Sequence, residues 1–270
     1  NEMVNKVQQY YEQDSYGSWR NRMTILSDDV DDSWEFRLEN NLNNLADDIV
    51  AERPFMNMVK LHSDAFTQET SAGGELYPKV NEVLLNNIQL GSLVVNYFGH
   101  GGEDGLAHER IFQKTDAEGL SNICRYNLFV TITCEFTRFD NPYRVTGGEI
   151  TYWNPSGGAI SLVTTTREIT VDLGERVNEK FAGYLFDFND TGYVSVAEAL
   201  RLAKNDESNN LRRVVFYIGD PGLKLAIPEP NIKLTKINGI SVTSNRLGDE
   251  VQFFLSSILK KLRKPPWQFR

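Results

Sequence analysis

The sequence predicts an α/β fold: a mostly parallel sheet covered by helices on both faces, followed by the start of a small β segment. Three observations carry this expectation. Short continuous apolar runs recur at Leu93–Phe98, Leu128–Thr133 and Ala159–Thr165, as in strands buried on both faces. Stretches with apolar residues at helical spacing lie between such runs, as the crossovers of parallel strands require. Pro228-Glu229-Pro230 then closes the alternating region, and Ile232–Val242 reads as the opening hairpin of a β-domain.

Taken in order, Val4–Tyr11 is helix-like and Arg22–Ser27 reads as the first strand. The acidic loop Asp28-Asp29-Val30-Asp31-Asp32 follows, and Phe36–Glu52 carries apolar residues at helical spacing. Met56–His62 is a second strand; Gly73-Gly74 break the chain, and Tyr77–Gln89 resumes the helical period. Leu93–Phe98 is the next strand. A Gly- and charge-rich stretch after His100 leads through Thr115–Ser121 into Leu128–Thr133, and Gly157-Gly158 introduce Ala159–Thr165. Val171–Phe186 and Val194–Lys204 read as covering helices, and Val214–Ile218 as a last core strand. The expected organisation is one domain over residues 1–228, opening as a segment cut from a longer precursor, then 229–270 with the β start and a basic tail.

Of 270 residues, 40% are hydrophobic, which is ample for a real core. The formal net charge is −9, yet Val251–Arg270 holds five basic residues and no acid, leaving residues 1–250 at −14. That balance disfavours a nucleic-acid partner for the main body. No apolar run is long enough to span a bilayer, and Asn1–Val4 lacks the layout of a signal peptide. Phe253–Lys264 reads either as a basic amphipathic helix for an anionic surface or as an unstructured extension.

The two cysteines are separated by a strand. Six residues at about 3.3 Å each put Cys124 and Cys134 roughly 20 Å apart, too far for a disulfide, whose Cα atoms lie within about 7 Å. His100, His108, Cys124 and Cys134 also lack the close paired spacing of a structural zinc site. What remains is placement. His100 and Cys134 each follow an apolar strand, at the edge where open α/β sheets hold their sites. An imidazole beside a thiol lowers its pKa and later hands a proton to a leaving amine. Gly99, Gly101 and Gly102 lack a Cβ, so a substrate backbone can approach and N–H groups remain free for an oxyanion.

These residues resemble a known family. Asn96-Tyr97-Phe98-Gly99-His100-Gly101-Gly102-Glu103-Asp104-Gly105, Thr131-Ile132-Thr133-Cys134-Glu135-Phe136-Thr137-Arg138-Phe139-Asp140 and Tyr217-Ile218-Gly219-Asp220-Pro221-Gly222-Leu223 are similar to the caspase-like cysteine peptidases of the gingipain family. Within that family they look most like the PorU-type sortase branch of the type IX secretion system. The resemblance covers about residues 3–228 and implies a caspase-like sheet with no cofactor. It implies His100 as general base and acid, Cys134 as nucleophile, and the amides of Gly101 and Cys134 as the oxyanion hole. It also implies an acid that orients the histidine from upstream, for which Asp28, Asp29, Asp31 and Asp32 are candidates. The loop Thr165-Thr166-Arg167-Glu168 is implied to lie near the pocket for the side chain before the cut bond, so Thr166 and Arg167 are pocket candidates, as is Glu135 next to Cys134. Glu103 and Glu135 lie next to the dyad, where they can tune the site or attract a basic substrate group; otherwise they are ordinary loop acids.

One further pattern stands apart. Asp187, Asn189, Gly192 and Glu198 match positions of an EF-hand loop, which admits calcium, although Glu198 equally suits the first turn of a helix. Gly219-Asp220-Pro221 reads as a turn. Three functions follow. The first is a sortase that cleaves the C-terminal secretion signal of exported cargo through a Cys134 thioester and passes the cargo to an amine on a surface glycolipid. Its partners would be cargo proteins and other type IX secretion components, and its place the cell surface at the outer membrane. The second is a secreted endopeptidase of the same fold, in which water resolves the thioester. The third is a non-catalytic module of the secretion complex.

Overall fold

The computed structural model describes residues 2–229 and the short strands Lys236–Ile237 and Ile240–Ser241. Its centre is a six-stranded sheet built from β1 (Arg22–Ser27), β2 (Asn57–Lys60), β3 (Val94–Phe98), β4 (Asn127–Ile132), β5 (Ala159–Thr165) and β6 (Val215–Ile218) in the order β6-β5-β4-β3-β1-β2. Every residue of β3, β4 and β5 is buried, which is why these strands read as unbroken apolar runs. Neighbours from β2 across to β5 pair in parallel, while β6 is antiparallel to β5. The sheet is therefore mostly parallel, with one reversed edge strand.

Helices α1 (Glu2–Tyr11), α2 (Phe36–Glu52), α3 (Pro78–Leu90), α4 (Lys114–Gly119), α5 (Gly147–Trp153), α6 (Val171–Leu185) and α7 (Val196–Asn205) cover both faces. Leu42 and Ile49 of α2, Val177 and Phe181 of α6 and Leu200 of α7 pack on one face with Val130 and Val163. Val80 and Leu84 of α3 and Ala117 of α4 pack on the other with Val95, Phe129 and Leu162. The helical stripes predicted at 36–52 and 171–186 thus lie on one face, and the stripe at 77–89 lies on the opposite one.

The sequence gives no sign of α5. It opens on Gly147-Gly148, poor helix formers, and is started by a capping box of Thr146 and Glu149 in which Thr146 N–H donates to Glu149 Oε2 at 2.9 Å. Also unannounced is a small antiparallel sheet, Gly101–Gly102, Gly105–Leu106 and Phe112–Gln113, that shapes the chain after His100. The chain divides into two compact units, Asn1–Pro228 and Glu229–Arg270. Within the predicted hairpin at Ile232–Val242, Ile237 pairs antiparallel with Ile240; the basic segment 251–270 lies outside the described residues. Among the described residues, no helix is long and apolar enough to cross a membrane.

Phe136 anchors the loop beyond β4. Its ring, fully buried, meets Phe129 at 6.1 Å and Phe112 at 6.4 Å between centroids. Phe136→Ala should cost about 3–5 kcal/mol of stability, the usual effect of emptying a phenylalanine site. Denaturant unfolding checks this, and a change below about 1 kcal/mol would show that the loop packs without it.

Candidate active site

Register places the two expected reactive residues side by side. Phe98 of β3 pairs with Ile132 of β4, and His100 and Cys134 each lie two residues beyond that pair. Both line one small cleft at the carboxyl edge of the sheet. Both cysteines of the chain are free thiols.

The backbone of His100 is held from two sides. Its N–H donates to Asp28 Oδ2 at 2.8 Å, and Tyr97 Oη donates to its carbonyl. The ring is held by a third residue: Nε2 lies 2.8 Å from Oε1 of Glu35, which is only 4% exposed. Glu35 directly precedes α2, and its second oxygen accepts from the amides of Asp31 at 2.8 Å and Asp32 at 2.6 Å. Burial alone would raise this carboxyl, but those amides and the His100 ring hold it below its ordinary value. An ionised carboxylate only accepts, so Nε2 carries a proton, and in the neutral ring the lone pair is then on Nδ1.

The acidic loop thus supplies different parts from those predicted. Asp28 positions the His100 main chain, not its ring. Asp29 accepts from Tyr77 Oη at 3.2 Å and from Gln68 at 3.3 Å, and Asp31 and Asp32 contribute amides, with exposed side chains. The carboxylate on the ring belongs to Glu35, outside the candidate set. Its signal in the sequence was faint: an acid three residues after Asp32 and just before a helix, where acids are common anyway.

The thiol also departs from expectation. An adjacent imidazole should lower it, yet burial pushes the Cys134 thiol up, and Glu168 and Glu135 add to the rise, while the Ile169 amide donates to the sulfur and opposes it. The resting thiol is therefore protonated, and its proton must leave as the sulfur attacks. Of the expected oxyanion donors, Gly101 sits where any side chain would clash: a Cβ there would lie 2.6 Å from Thr133 Oγ1. The glycine lets the chain after His100 pass against the residue preceding Cys134.

Among the pocket candidates, Glu135 and Arg167 line a cavity of about 500 Å³ next to the cleft. Both are paired there, Glu135 with Arg138 at 3.2 Å and Arg167 with Asp140 at 2.6 Å. Thr166 instead turns toward β6, its N–H donating to Val214 O at 3.0 Å. On the His100 side, Glu103, Asp104, His108, Arg110 and Lys114 border a larger groove of about 620 Å³. The residues of the EF-hand-like pattern have other partners: Asp187 accepts from the amides of Thr191 at 2.7 Å and Gly192 at 2.9 Å, and Glu198 pairs with Arg201 at 2.7 Å.

Asp28, Asp29 and Glu109 bring carboxylate oxygens within 4.8 Å of one another in buried surroundings. Burial, then neighbouring acids, lifts Asp28 and Glu109 to about 7 each, against the His100 amide for Asp28. A raised carboxyl binds protons in the folded chain that the unfolded chain has lost. The stability it confers is full below about pH 4, falls as pH rises toward 7, and is gone above. Glu109→Gln should therefore leave stability unchanged near pH 4 and raise it at pH 8 by on the order of 1–3 kcal/mol. Denaturant midpoints at the two pH values check this; an equal effect at both would mean that Glu109 does not titrate between them.

The fold and cleft define a class, the caspase-like cysteine-type peptidases. The chain belongs to peptidase family C25, the gingipain family, whose model matches residues 1–226. It is similar in fold to the Arg-specific cysteine proteinase gingipain R, with a TM-score of 0.67 and 13% identity over 83% of this chain and 52% of that one. The complex of the pro- and mature domains of RgpB from Porphyromonas gingivalis matches with a TM-score of 0.65 and 12% identity over 83% of this chain and 53% of that one. A structure described as that of a protease matches with a TM-score of 0.66 and 13% identity over 87% and 55%. The chain thus spans about half the length of these structures. No curated protein sequence matches it.

Proposed function

We propose that this chain is the catalytic domain of a cysteine sortase that removes the C-terminal secretion signal from exported cargo and joins the cargo to a surface amine. The observation that carries the catalytic part is the cleft shared by His100 and Cys134, with Glu35 on the far nitrogen of the imidazole. Nδ1 of His100 takes the proton of the Cys134 thiol as the sulfur attacks the peptide carbonyl. The amides of Gly101 and Cys134 hold the oxyanion. The tetrahedral adduct then collapses: the C–N bond breaks, the His100 proton goes to the leaving amine nitrogen, and a thioester remains on Cys134. An acceptor amine attacks that thioester, gives its proton to His100 and releases the thiol.

Transfer to an amine rests on the likeness of the two segments around His100 and Cys134 to the sortase branch. Exported cargo, other type IX secretion components and a glycolipid acceptor are the partners of this reading, and the outer membrane surface is its location. A second reading, hydrolysis by a gingipain-like endopeptidase, is favoured by the likeness in fold to gingipain R, itself described as a proteinase. Mass analysis of cargo processed with a supplied amine separates the two. A new amide at the cut supports transfer, whereas a free carboxylate alone would leave only the hydrolase.

A further inference from the structure

We infer that the cleft between His100 and Cys134 receives the side chain of the residue acylated on Cys134, and that it takes small uncharged side chains and rejects arginine and lysine. The inference rests on the peptidase reading and names its substrate class. A pocket walled by Cys134 itself is within reach of the side chain on the carbon next to the reacting carbonyl.

Size is the first argument. The cleft holds about 70 Å³, less than half of the about 150 Å³ in which an apolar cavity binds benzene. That volume suits alanine, serine, threonine or valine, not an extended guanidinium or ammonium chain. The floor has no room to retreat. Gly174 of α6 lies so close behind it that a Cβ there would meet Ile132 Cγ2 and Phe98 Cε2 at 2.9 Å each, and close-packed interiors transmit such contacts rather than yield to them.

Chemistry is the second. Trp34, Leu38, Phe98, Ile132, Ile169 and Val171 form the walls, and among the described residues His100 is the only ionisable side chain besides Cys134 that lines the cleft. Glu35 lies beside it, but both its oxygens are taken by the His100 ring and by the amides of Asp31 and Asp32. The other acids near Cys134, Glu135 and Glu168, line the adjoining larger cavity, which meets the cleft at Ile169 and Thr170, and neither acid lines the cleft itself. A guanidinium placed in the cleft would lose its water without gaining a carboxylate, which a site rejects strongly. The arginine specificity in the description of gingipain R therefore does not extend to this chain.

The test uses two peptidyl acyloxymethyl ketones on the full chain, identical except for a terminal alanine or arginine, with modification of Cys134 followed by mass spectrometry. The alanine probe should react faster by about tenfold or more. In Ile169→Ala, where one wall is cut back, a leucine-ended probe should gain on the alanine probe; Trp34→Ala serves the same purpose should the first variant misfold. Equal or faster labelling by the arginine probe overturns the inference and leaves the peptidase reading intact. Labelling by neither probe overturns the peptidase reading and the inference with it.

Discussion

On the proposed reading, Cys134→Ala should abolish peptide-bond cleavage while leaving the fold intact, with a loss of roughly 10⁴-fold or more in turnover, as when the nucleophile of a comparable dyad is removed. The fold is expected to survive because the side chain is only half buried and contributes little packing beside Phe136 and the strand residues beneath it. His100→Ala should cost about as much, since residues acting as one unit lose their effect together, and the double variant should be little worse than either single one. The measurement is the rate of peptide-bond cleavage under saturating substrate. Cleavage that continues in Cys134→Ala would refute the assignment of the nucleophile, because the other cysteine lies outside the cleft.

How much of this was readable from the sequence depended on whether the signal was local. Ala159–Thr165 and Phe36–Glu52 have the predicted bounds in the structure, because a strand buried on both faces and an amphipathic helix each write their surroundings into consecutive residues. The direction of β6 was not legible. Val214–Ile218 has the same apolar composition whether it runs parallel or antiparallel, and only its pairing with β5 decides. The sheet after His100 was hidden for another reason: strands of two residues are too short for any period, and partners on other segments set them.

The site divides in the same way. Two apolar runs ending in His and Cys were enough to bring His100 and Cys134 to one edge, because parallel register carries matched sequence positions to matched places. The acids were ambiguous because five of them follow β1 within eight residues. Composition cannot say which bends toward a histidine some 65 residues later, and the helix start that aims Glu35 is fixed by tertiary packing. The rise in the Cys134 thiol is likewise a property of burial in three dimensions, invisible to a reading in which an imidazole simply neighbours a cysteine.

Glu35→Gln tests that geometry most sharply, because the replacement keeps shape and volume and changes one donor. The amides of Asp31 and Asp32 both point at the Oε2 position, so a glutamine must place its carbonyl oxygen there. Its NH₂ then faces His100 Nε2 and donates to it. Nε2 becomes the acceptor, the ring proton moves to Nδ1, and the nitrogen that should take the thiol proton no longer has a lone pair. The precedent for a histidine held in the wrong tautomer is a loss of about 10⁴ in kcat, and burial, which pushes the resting thiol up, adds to the need for that base. Stability should stay close to that of the parent chain, since the amide caps remain satisfied. The ¹⁵N shifts of the His100 ring report the exchange of tautomers directly. A variant that loses activity with its tautomer unchanged would give Glu35 a purely structural part, and one that retains activity would remove Glu35 from the mechanism.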